Sequence, residues 1–313
     1  MKVYKGLSKI GKINYKTVLT LGVFDGVHKG HRRILKELVN LSKKENLVSL
    51  VVTFWPHPLK FFKSKKAPLL INTLKQRLDL IESLRVDVSL VLKFSREIAL
   101  MSAYRFVTDI LLKRLNMSYL VVSSEYRFGR NARGDIEFLR KLSKRCNFKL
   151  KELAIVERNK KQITSTLIRN LLRHGRISEA NEMLARCYFL EGIIIKGKGL
   201  GSKIGYPTVN LKTDQDIILK SGVYIGYIEY QCCKLKSVIN IGYNPTIKSH
   251  QKKKSVEAHI LNFNQDLYNR KVKIYFLKRL RDEKKFKTLE ELSWAIKKDI
   301  DKTHGYFRKV NIG

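Results

Sequence analysis

Acidic side chains are scarce in this chain: its 313 residues hold 27 Asp and Glu against 64 Lys and Arg, a formal net charge of +37. A surface this basic attracts polyanions, so nucleic acid, anionic membrane and phosphate-rich small molecules all fit. The excess is mostly lysine and is scattered, with short runs such as Lys63-Ser64-Lys65-Lys66, Lys252-Lys253-Lys254 and Lys284-Lys285. That pattern reads as a solvated surface, with dedicated nucleic-acid binding as the alternative. Cysteine is also sparse. Cys146, Cys187, Cys232 and Cys233 form no CxxC pair and no Cys/His cluster of zinc spacing, which excludes a zinc module and argues against a disulfide framework. They are expected to be buried or idle thiols, with Cys232 and Cys233 on opposite faces of a strand. No stretch approaches the ~20 apolar residues that span a bilayer, and the first residues carry no signal-peptide core. A cytoplasmic protein without a membrane partner is expected. Two phosphate-binding signatures are missing as well, the GxxxxGK[ST] P-loop and the GxGxxG dinucleotide fingerprint.

What is present is an ordinary globular composition, 44% hydrophobic, long enough for about two domains. The first half alternates strand-like and helix-like segments. Residues 18–21 and 47–54 read as strands, with helical spacing over 32–42 and 74–85. Further strands are expected at 86–92 and 119–122, separated by a long helix over 96–116. Continuous apolar strands between helices predict a parallel sheet covered on both faces. Two short helices, about 165–173 and 178–185, precede a change of pattern. Strand-like runs follow at 188–195, 222–230, 235–241, 255–263 and 271–279, then an amphipathic helix at about 288–301. Short strands in succession predict an antiparallel sheet or small barrel. The domain boundary is expected at 185/186, giving domains 1–185 and 186–313.

Two constellations carry chemistry. Gly22-Val23-Phe24-Asp25-Gly26-Val27-His28-Lys29-Gly30-His31 follows the first strand and opens the first helix. Glycines let backbone approach phosphate closely, and a helix N-terminus offers free N–H groups to an anion. His28 and His31, three apart, share a face of the first turn. There they can donate to phosphate oxygens and stabilise charge developing at phosphorus. Two unrelated histidines at a helix cap are the plainer alternative. In the second half, Gly197-Lys198-Gly199-Leu200-Gly201 precedes Gly205-Tyr206-Pro207-Thr208-Val209-Asn210. A glycine-dense turn can cradle phosphate. Thr208 and Asn210 point the same way in an extended segment and offer oxygen ligands to a hard cation such as Mg²⁺. Glu257 alternates with Val256 and Ala258 on a predicted strand. It is either a general base beside that loop or a solvent-facing glutamate.

The first constellation resembles the GxFDGVHxGH signature of the prokaryotic bifunctional riboflavin kinase/FMN adenylyltransferase family, also called FAD synthetase. Thr53-Phe54-Trp55-Pro56-His57-Pro58 is similar to that family's TFxPHP. Arg127-Phe128-Gly129 with Gly134-Asp135 is similar to DFRFG…GD, and Ile163 to Arg169 to ISSTxIR. The resemblance continues from about 187 to 304 as a riboflavin kinase domain. It is carried by Gly205–Asn210 (GFPTAN), Gly222-Val223-Tyr224 (GVY), Asn240-Ile241-Gly242 with Asn244-Pro245-Thr246 (NIGxxPT), Glu257-Ala258-His259 (ExH), Asp266-Leu267-Tyr268 (DLYG) and Leu280-Arg281 with Lys285-Phe286 (LRxExKF).

The resemblance implies an α/β chain. Its N-terminal half would be a Rossmann-like nucleotidylyltransferase domain with a parallel sheet, and its C-terminal half a riboflavin kinase-type antiparallel β-barrel with a terminal helix. It implies ATP, riboflavin and FMN as substrates, FAD as product and Mg²⁺ on the triphosphate. His28 and His31 would bind the ATP phosphates, on a turn that also supplies Gly22, Phe24, Asp25 and Gly30. Ser165, Thr166 and Arg169 would hold the triphosphate from the far side, and Glu125 and Arg127 would contact nucleotide or flavin. In the second domain Glu257 would deprotonate the ribityl 5′-hydroxyl, and Thr208 and Asn210 would hold Mg²⁺. The loop with Gly197, Gly199, Gly201 and Lys203 would cover the phosphates, and Arg281 would belong to a flap over the flavin. The chain departs from the family at Ser123-Ser124-Glu125-Tyr126, where Gly-Glu-Asp-Phe is usual. It departs again at Leu200 and Ser202, where the family's loop carries arginines. A chain retaining only one activity, or a basic nucleic-acid-binding protein, are the competing readings. No dedicated nucleic-acid partner is expected, and self-association is expected to be weak.

Overall fold

In the computed structural model, which describes residues 1–62, 67–197, 200–244 and 253–310, the chain divides into two compact units, Met1–Ser165 and Thr166–Gly313. In the first, strands Lys2–Lys5 (β1), Thr17–Leu21 (β2), Val48–Trp55 (β3), Val88–Lys93 (β4), Met117–Ser123 (β5) and Lys149–Leu153 (β6) form one sheet. Its order is β1-β4-β3-β2-β5-β6, and every pairing is parallel. The continuous apolar runs follow from burial on both faces. Leu19, Leu21, Leu50, Val52, Leu90, Leu92, Leu120 and Val122 enter one core with Phe106, Val107 and Ile110. Val18, Val51, Tyr119 and Val121 enter the other with Leu35, Leu38, Val39 and Ile81. The strand order reverses between β2 and β5, because β3 lies on the other side of β2. In open parallel sheets the crevice at such a reversal, beyond the carboxyl ends of the strands, is where ligands bind.

One expectation for this unit is corrected. Residues 96–116 are not one helix. Helix Arg96–Leu100 stops at Met101, which is extended, and Ser102 caps a new start by accepting from the Arg105 N–H at 3.2 Å. A π-helix, Phe106–Leu112, continues to β5. Two strands, β1 and β6, are lysine-rich and carried no clear apolar signal, whereas helix Ile136–Cys146, capped by Asp135 on the Phe138 N–H at 2.9 Å, has Ile136, Leu139 and Leu142 at helical spacing and is an element the sequence reading missed. A two-stranded hairpin, Glu157–Arg158 (β7) and Lys161–Gln162 (β8), leads to the unit's end.

The second unit begins with helices Ser165–Arg173 and Ile177–Leu184. Strands Tyr188–Ile195 (β9), Val209–Lys212 (β10), Gly222–Tyr230 (β11), Cys233–Asn244 (β12), Lys253–Ile260 (β13) and Lys271–Arg281 (β14) follow. They close into an antiparallel barrel, order β10-β13-β12-β11-β14-β9. Tyr188, Leu190, Ile194, Tyr224, Ile239, Ile241, Val256, Ala258, Ile274 and Phe276 are buried. The final helix runs to Lys309, past the expected 301. Thr288 accepts from the Glu291 N–H at 3.2 Å, Glu290 and Glu291 lie in the first turn, and Arg308 and Lys309 in the last, which complements the helix dipole. Ile300 packs on an outer-face cluster of Val223, Val238 and Leu261. Cys232 does not lie in a strand. Gln231 (φ 48°) and Cys232 (φ 66°) make the turn between β11 and β12, and both Cys232 and Cys233 are exposed, while Cys146 and Cys187 are half-buried. All four are free thiols. Among the described residues, no helix is long and apolar enough to cross a membrane.

Candidate active sites

The first site lies at the sheet's reversal point. β2 ends at Leu21, and the chain turns sharply through Phe24 (φ 52°), Gly26 (φ 83°) and Val27 (φ 38°) before helix Lys29–Lys44. A positive φ at a buried β-branched residue is a strained conformation, and such strain concentrates where backbone geometry is functional. His28 is 5% exposed and is the cap of the helix, its Nδ1 accepting from the His31 N–H at 3.4 Å. With Nδ1 an acceptor, the neutral ring carries its proton on Nε2 as a donor. The His31 ring stacks on His28, centroids 3.7 Å apart at 20°, and Phe24 meets His31 edge-on at 5.2 Å. A Cβ on Gly30 would lie 3.1 Å from the His28 ring, so this spacing of histidines requires glycine between them. Two imidazoles and a helix N-terminus thus converge at one point, an arrangement suited to an anion.

Other predicted residues gather here. The Ser165 hydroxyl donates to the Asp25 carbonyl at 2.8 Å. Glu125 and Arg127 follow the carboxyl end of β5, the strand beside β2, and both are exposed. Glu125 accepts from Gln162 Nε2 at 2.8 Å, which ties it to the segment leading into Ser165. Tyr126 stacks on Phe128, centroids 5.6 Å apart, and burial pushes its hydroxyl pKa up. Asp25 is buried, and its carboxylate accepts from the backbone N–H groups of Ile71 (3.0 and 3.2 Å) and Asn72 (3.3 Å), a loop-holding contact. Gly22 lies against the Phe24 ring. Thr166 and Arg169 belong to the second unit, where Arg169 Nη1 reaches Thr166 Oγ1 at 3.4 Å.

The second site is a row of side chains across the outer face of the barrel. Paired residues on adjacent strands point the same way. Asn210 on β10 pairs with Glu257 on β13, Glu257 with Asn240 on β12, Asn240 with Val223 on β11, and Val223 with Arg281 on β14. Their neighbours Val256 and Ala258 point inward, each 1% exposed, while Glu257 is half-buried. His259 Nδ1–H donates to the Pro207 carbonyl at 2.8 Å, which fixes the turn just before Thr208. A Cβ on Gly201 would stand 3.4 Å from Thr208 Oγ1, and one on Gly197 would collide with the Asn210 carboxamide. Gly201 therefore lies close to the Thr208 hydroxyl, and Gly197 lies against the Asn210 carboxamide. A hydroxyl and a carboxamide oxygen are donors that suit Mg²⁺. Among the described residues no group of three or more His, Cys, Asp or Glu gathers to hold a metal.

Lys198, Gly199, the stretches 63–66 and 245–252, and the side chain of Lys203 lie outside the described residues. Arg281 is ion-paired with the final helix. Its Nε lies 2.9 and 3.2 Å and its Nη2 2.7 Å from the Asp299 carboxylate on the final helix. It borders a cavity of about 680 Å³ with Phe286, Glu290, Glu291, Trp294 and Lys298, room for an aromatic ring system. Asn240 was legible only as part of a motif; its position beside Glu257 depends on strand register. Thr53 was legible only as the first residue of the TFxPHP-like segment, and Arg77 carried no chemical signal in the sequence.

The chain is similar to known proteins over nearly its whole length. The sequence profile of the FAD synthetase family matches residues 10–167, and that of the riboflavin kinase family residues 184–307. The chain is 33% identical over 314 residues to the bifunctional riboflavin kinase/FMN adenylyltransferase of Buchnera aphidicola subsp. Schizaphis graminum (strain Sg), covering 99% of this chain and 100% of that one. It is 32% identical over 301 residues to the protein of the same description from Escherichia coli (strain K12), covering 96% of each. Among solved structures, one described as a macrolide-efflux protein from Streptococcus pneumoniae has 28% identity and a TM-score of 0.87, covering 97% of this chain and 99% of that one.

Proposed function

The chain belongs to the bifunctional riboflavin kinase/FMN adenylyltransferase family, and from that premise we propose how its residues divide the work of making flavin cofactors. It phosphorylates riboflavin to FMN with ATP in the second domain, 186–313, and adenylylates FMN to FAD in the first, 1–185. In adenylyl transfer the FMN phosphate attacks the α-phosphorus of ATP in line, and pyrophosphate leaves. His28 and His31 donate to the phosphate oxygens and stabilise the charge that develops there, and the N–H groups of helix Lys29–Lys44 add to the same field. Ser165, Thr166 and Arg169 hold the triphosphate, while Glu125 and Arg127 border the nucleotide or flavin. Catalysis of this kind is positioning and electrostatics, with no covalent intermediate.

In the kinase reaction Glu257 takes the proton of the ribityl 5′-hydroxyl, which attacks the γ-phosphorus of ATP. Thr208 and Asn210 would hold Mg²⁺, which would neutralise charge on the triphosphate. The Gly197–Gly201 loop covers the phosphates. The cavity between Arg281 and Trp294 takes the flavin ring, against which the Trp294 face can stack. The positive surface speeds capture of ATP and FMN. A cytoplasmic location without a dedicated nucleic-acid partner, and weak self-association at most, belong to the same proposal.

The observation that supports this reading best is the coexistence in one chain of the stacked His28–His31 pair at a helix N-terminus and the Asn210–Glu257–Asn240 row beside a glycine loop. The test is a product analysis. Purified protein with riboflavin, ATP and Mg²⁺ should yield FMN and then FAD by chromatography. FAD from supplied FMN, without turnover of riboflavin, would remove the kinase assignment, and accumulation of FMN alone would remove the transferase assignment.

A further inference from the structure

We propose that Arg77 is a positioning residue for adenylyl transfer, acting through the Thr53 hydroxyl on the Val23 carbonyl to hold the turn that carries His28 and His31. Arg77 lies on helix Leu74–Glu82 and is 0% exposed. Its Nη1 donates to Thr53 Oγ1 at 3.2 Å and to the Phe54 carbonyl at 3.3 Å. Thr53, at the end of β3, is equally buried, and its hydroxyl donates to the Val23 carbonyl at 3.1 Å. A guanidinium can only donate. It therefore fixes the direction of the hydroxyl, whose proton goes to Val23.

The same helix grips the turn at a second point. Thr73 and Gln76 form a capping box at its start, and the preceding Ile71 and Asn72 N–H groups bind the Asp25 carboxylate. Val23 and Asp25 flank Phe24, the left-handed residue whose ring meets His31. A shift of either anchor is thereby passed to the histidine pair. Arg77 is an expensive way to pack a helix. Burial disfavours its charge, partly offset by Asp25, and among the described residues its Nε and Nη2 have no hydrogen-bond partner. Burying a charged group costs free energy unless it is paired and hydrogen-bonded, so packing alone does not account for it.

The proposal rests on the transferase reading of the histidine pair, and the experiment separates the two. Steady-state FAD formation from FMN and ATP is measured for Thr53→Val, Thr53→Ser, Arg77→Met and the double variant Thr53→Val/Arg77→Met. FMN formation and thermal midpoints are measured on the same preparations, with His31→Ala as reference. Loss of the strut should lower kcat for FAD roughly 10- to 100-fold, the scale of an ångström-level misplacement, with KM for ATP and FMN and the kinase rate little changed. Thr53→Ser should restore kcat, and the double variant should be no slower than the slower single variant. The inference is overturned if Thr53→Val keeps its kcat, if Thr53→Ser is as slow as Thr53→Val, or if the two losses multiply. Should Arg77→Met fail to fold, the two Thr53 variants decide. If His31→Ala also retains full transfer, the site assignment itself falls.

Discussion

Asn210 and Glu257 stand directly opposite each other on β10 and β13, and Asn240 flanks Glu257 from β12. The carboxylate is thus bracketed by two carboxamides, one of which lies against Gly197. A carboxamide can turn its N–H or its oxygen toward a neighbour. Asn210 can therefore offer oxygen to a cation while Asn240 donates to the base or to the substrate hydroxyl.

That geometry predicts distinct effects within the row. Glu257→Gln keeps shape and hydrogen-bonding capacity but cannot accept the hydroxyl proton. It should lower kcat for FMN about 10²- to 10⁴-fold, the usual worth of a general base. FAD formation from supplied FMN should be untouched. Asn210→Ala should instead raise the Mg²⁺ concentration needed for half-maximal kinase activity. A titration of Mg²⁺ against initial rate checks the second, and a loss independent of Mg²⁺ would remove Asn210 from the metal.

The stacked histidines predict the opposite split. His31→Ala should cut FAD formation by about 10²-fold or more, the scale of losing one donor to a developing charge, and leave FMN formation intact. Gly30→Ala should give a milder loss of the same kind, because its Cβ would press on the His28 ring at 3.1 Å. Chromatography of products from riboflavin and from FMN reads both. If either change stopped both reactions in a folded protein, the two-site assignment would be wrong.

Much of this was legible in the sequence, for reasons particular residues make plain. The β2–turn–helix unit announced itself because Gly22, Gly26 and Gly30 sit where backbone must bend or leave room for a ring. The central strands were legible because both their faces are buried. β1 and β6 escaped because an edge strand needs only one apolar side, and Lys2, Lys5, Lys149 and Lys151 fill the rest. The break at Met101–Ser102 was hidden because the apolar spacing of 96–116 continues across it, while the cap depends on one hydroxyl. The Asn210–Glu257–Asn240 row and the Arg77–Thr53–Val23 strut join residues far apart in the chain. Pairing register and tertiary contact create them, and local patterning carries no trace of either.

An acid limb is predicted for the second unit. Asp282 accepts from Arg279 Nη2 at 2.7 Å and Lys220 Nζ at 2.9 Å. These contacts, that of Arg279 foremost, hold its carboxyl pKa down at about 2 against the usual 3.8. A carboxylate depressed in the folded state stabilises above its unfolded value and loses that contribution as pH falls through its folded one. The contribution is therefore present above pH 4 and lost toward pH 2. Asp282→Asn should flatten the fall of stability across that window. An unchanged slope in acid denaturation would show that the pair contributes nothing.

Arg281 and Asp299 give the sharpest stability prediction. The Asp299 side chain is 3% exposed and its partner 21%, so the pair is largely removed from water. Deleting one member of such a pair leaves a desolvated charge and costs about 3 kcal/mol or more. Asp299→Ala should therefore destabilise the kinase unit by about that amount and weaken riboflavin binding, since Arg281 borders the cavity. Arg281→Lys should fall between, because an ammonium cannot reproduce the two-point contact. The two tryptophans make this measurable. Trp55 lies in the first unit and Trp294 in the second, so in a Trp55→Phe background urea unfolding followed by fluorescence reports on the barrel and its helix alone. FAD formation from supplied FMN should survive Asp299→Ala at urea concentrations that abolish the kinase. Simultaneous loss of both activities would show that the two units do not unfold independently.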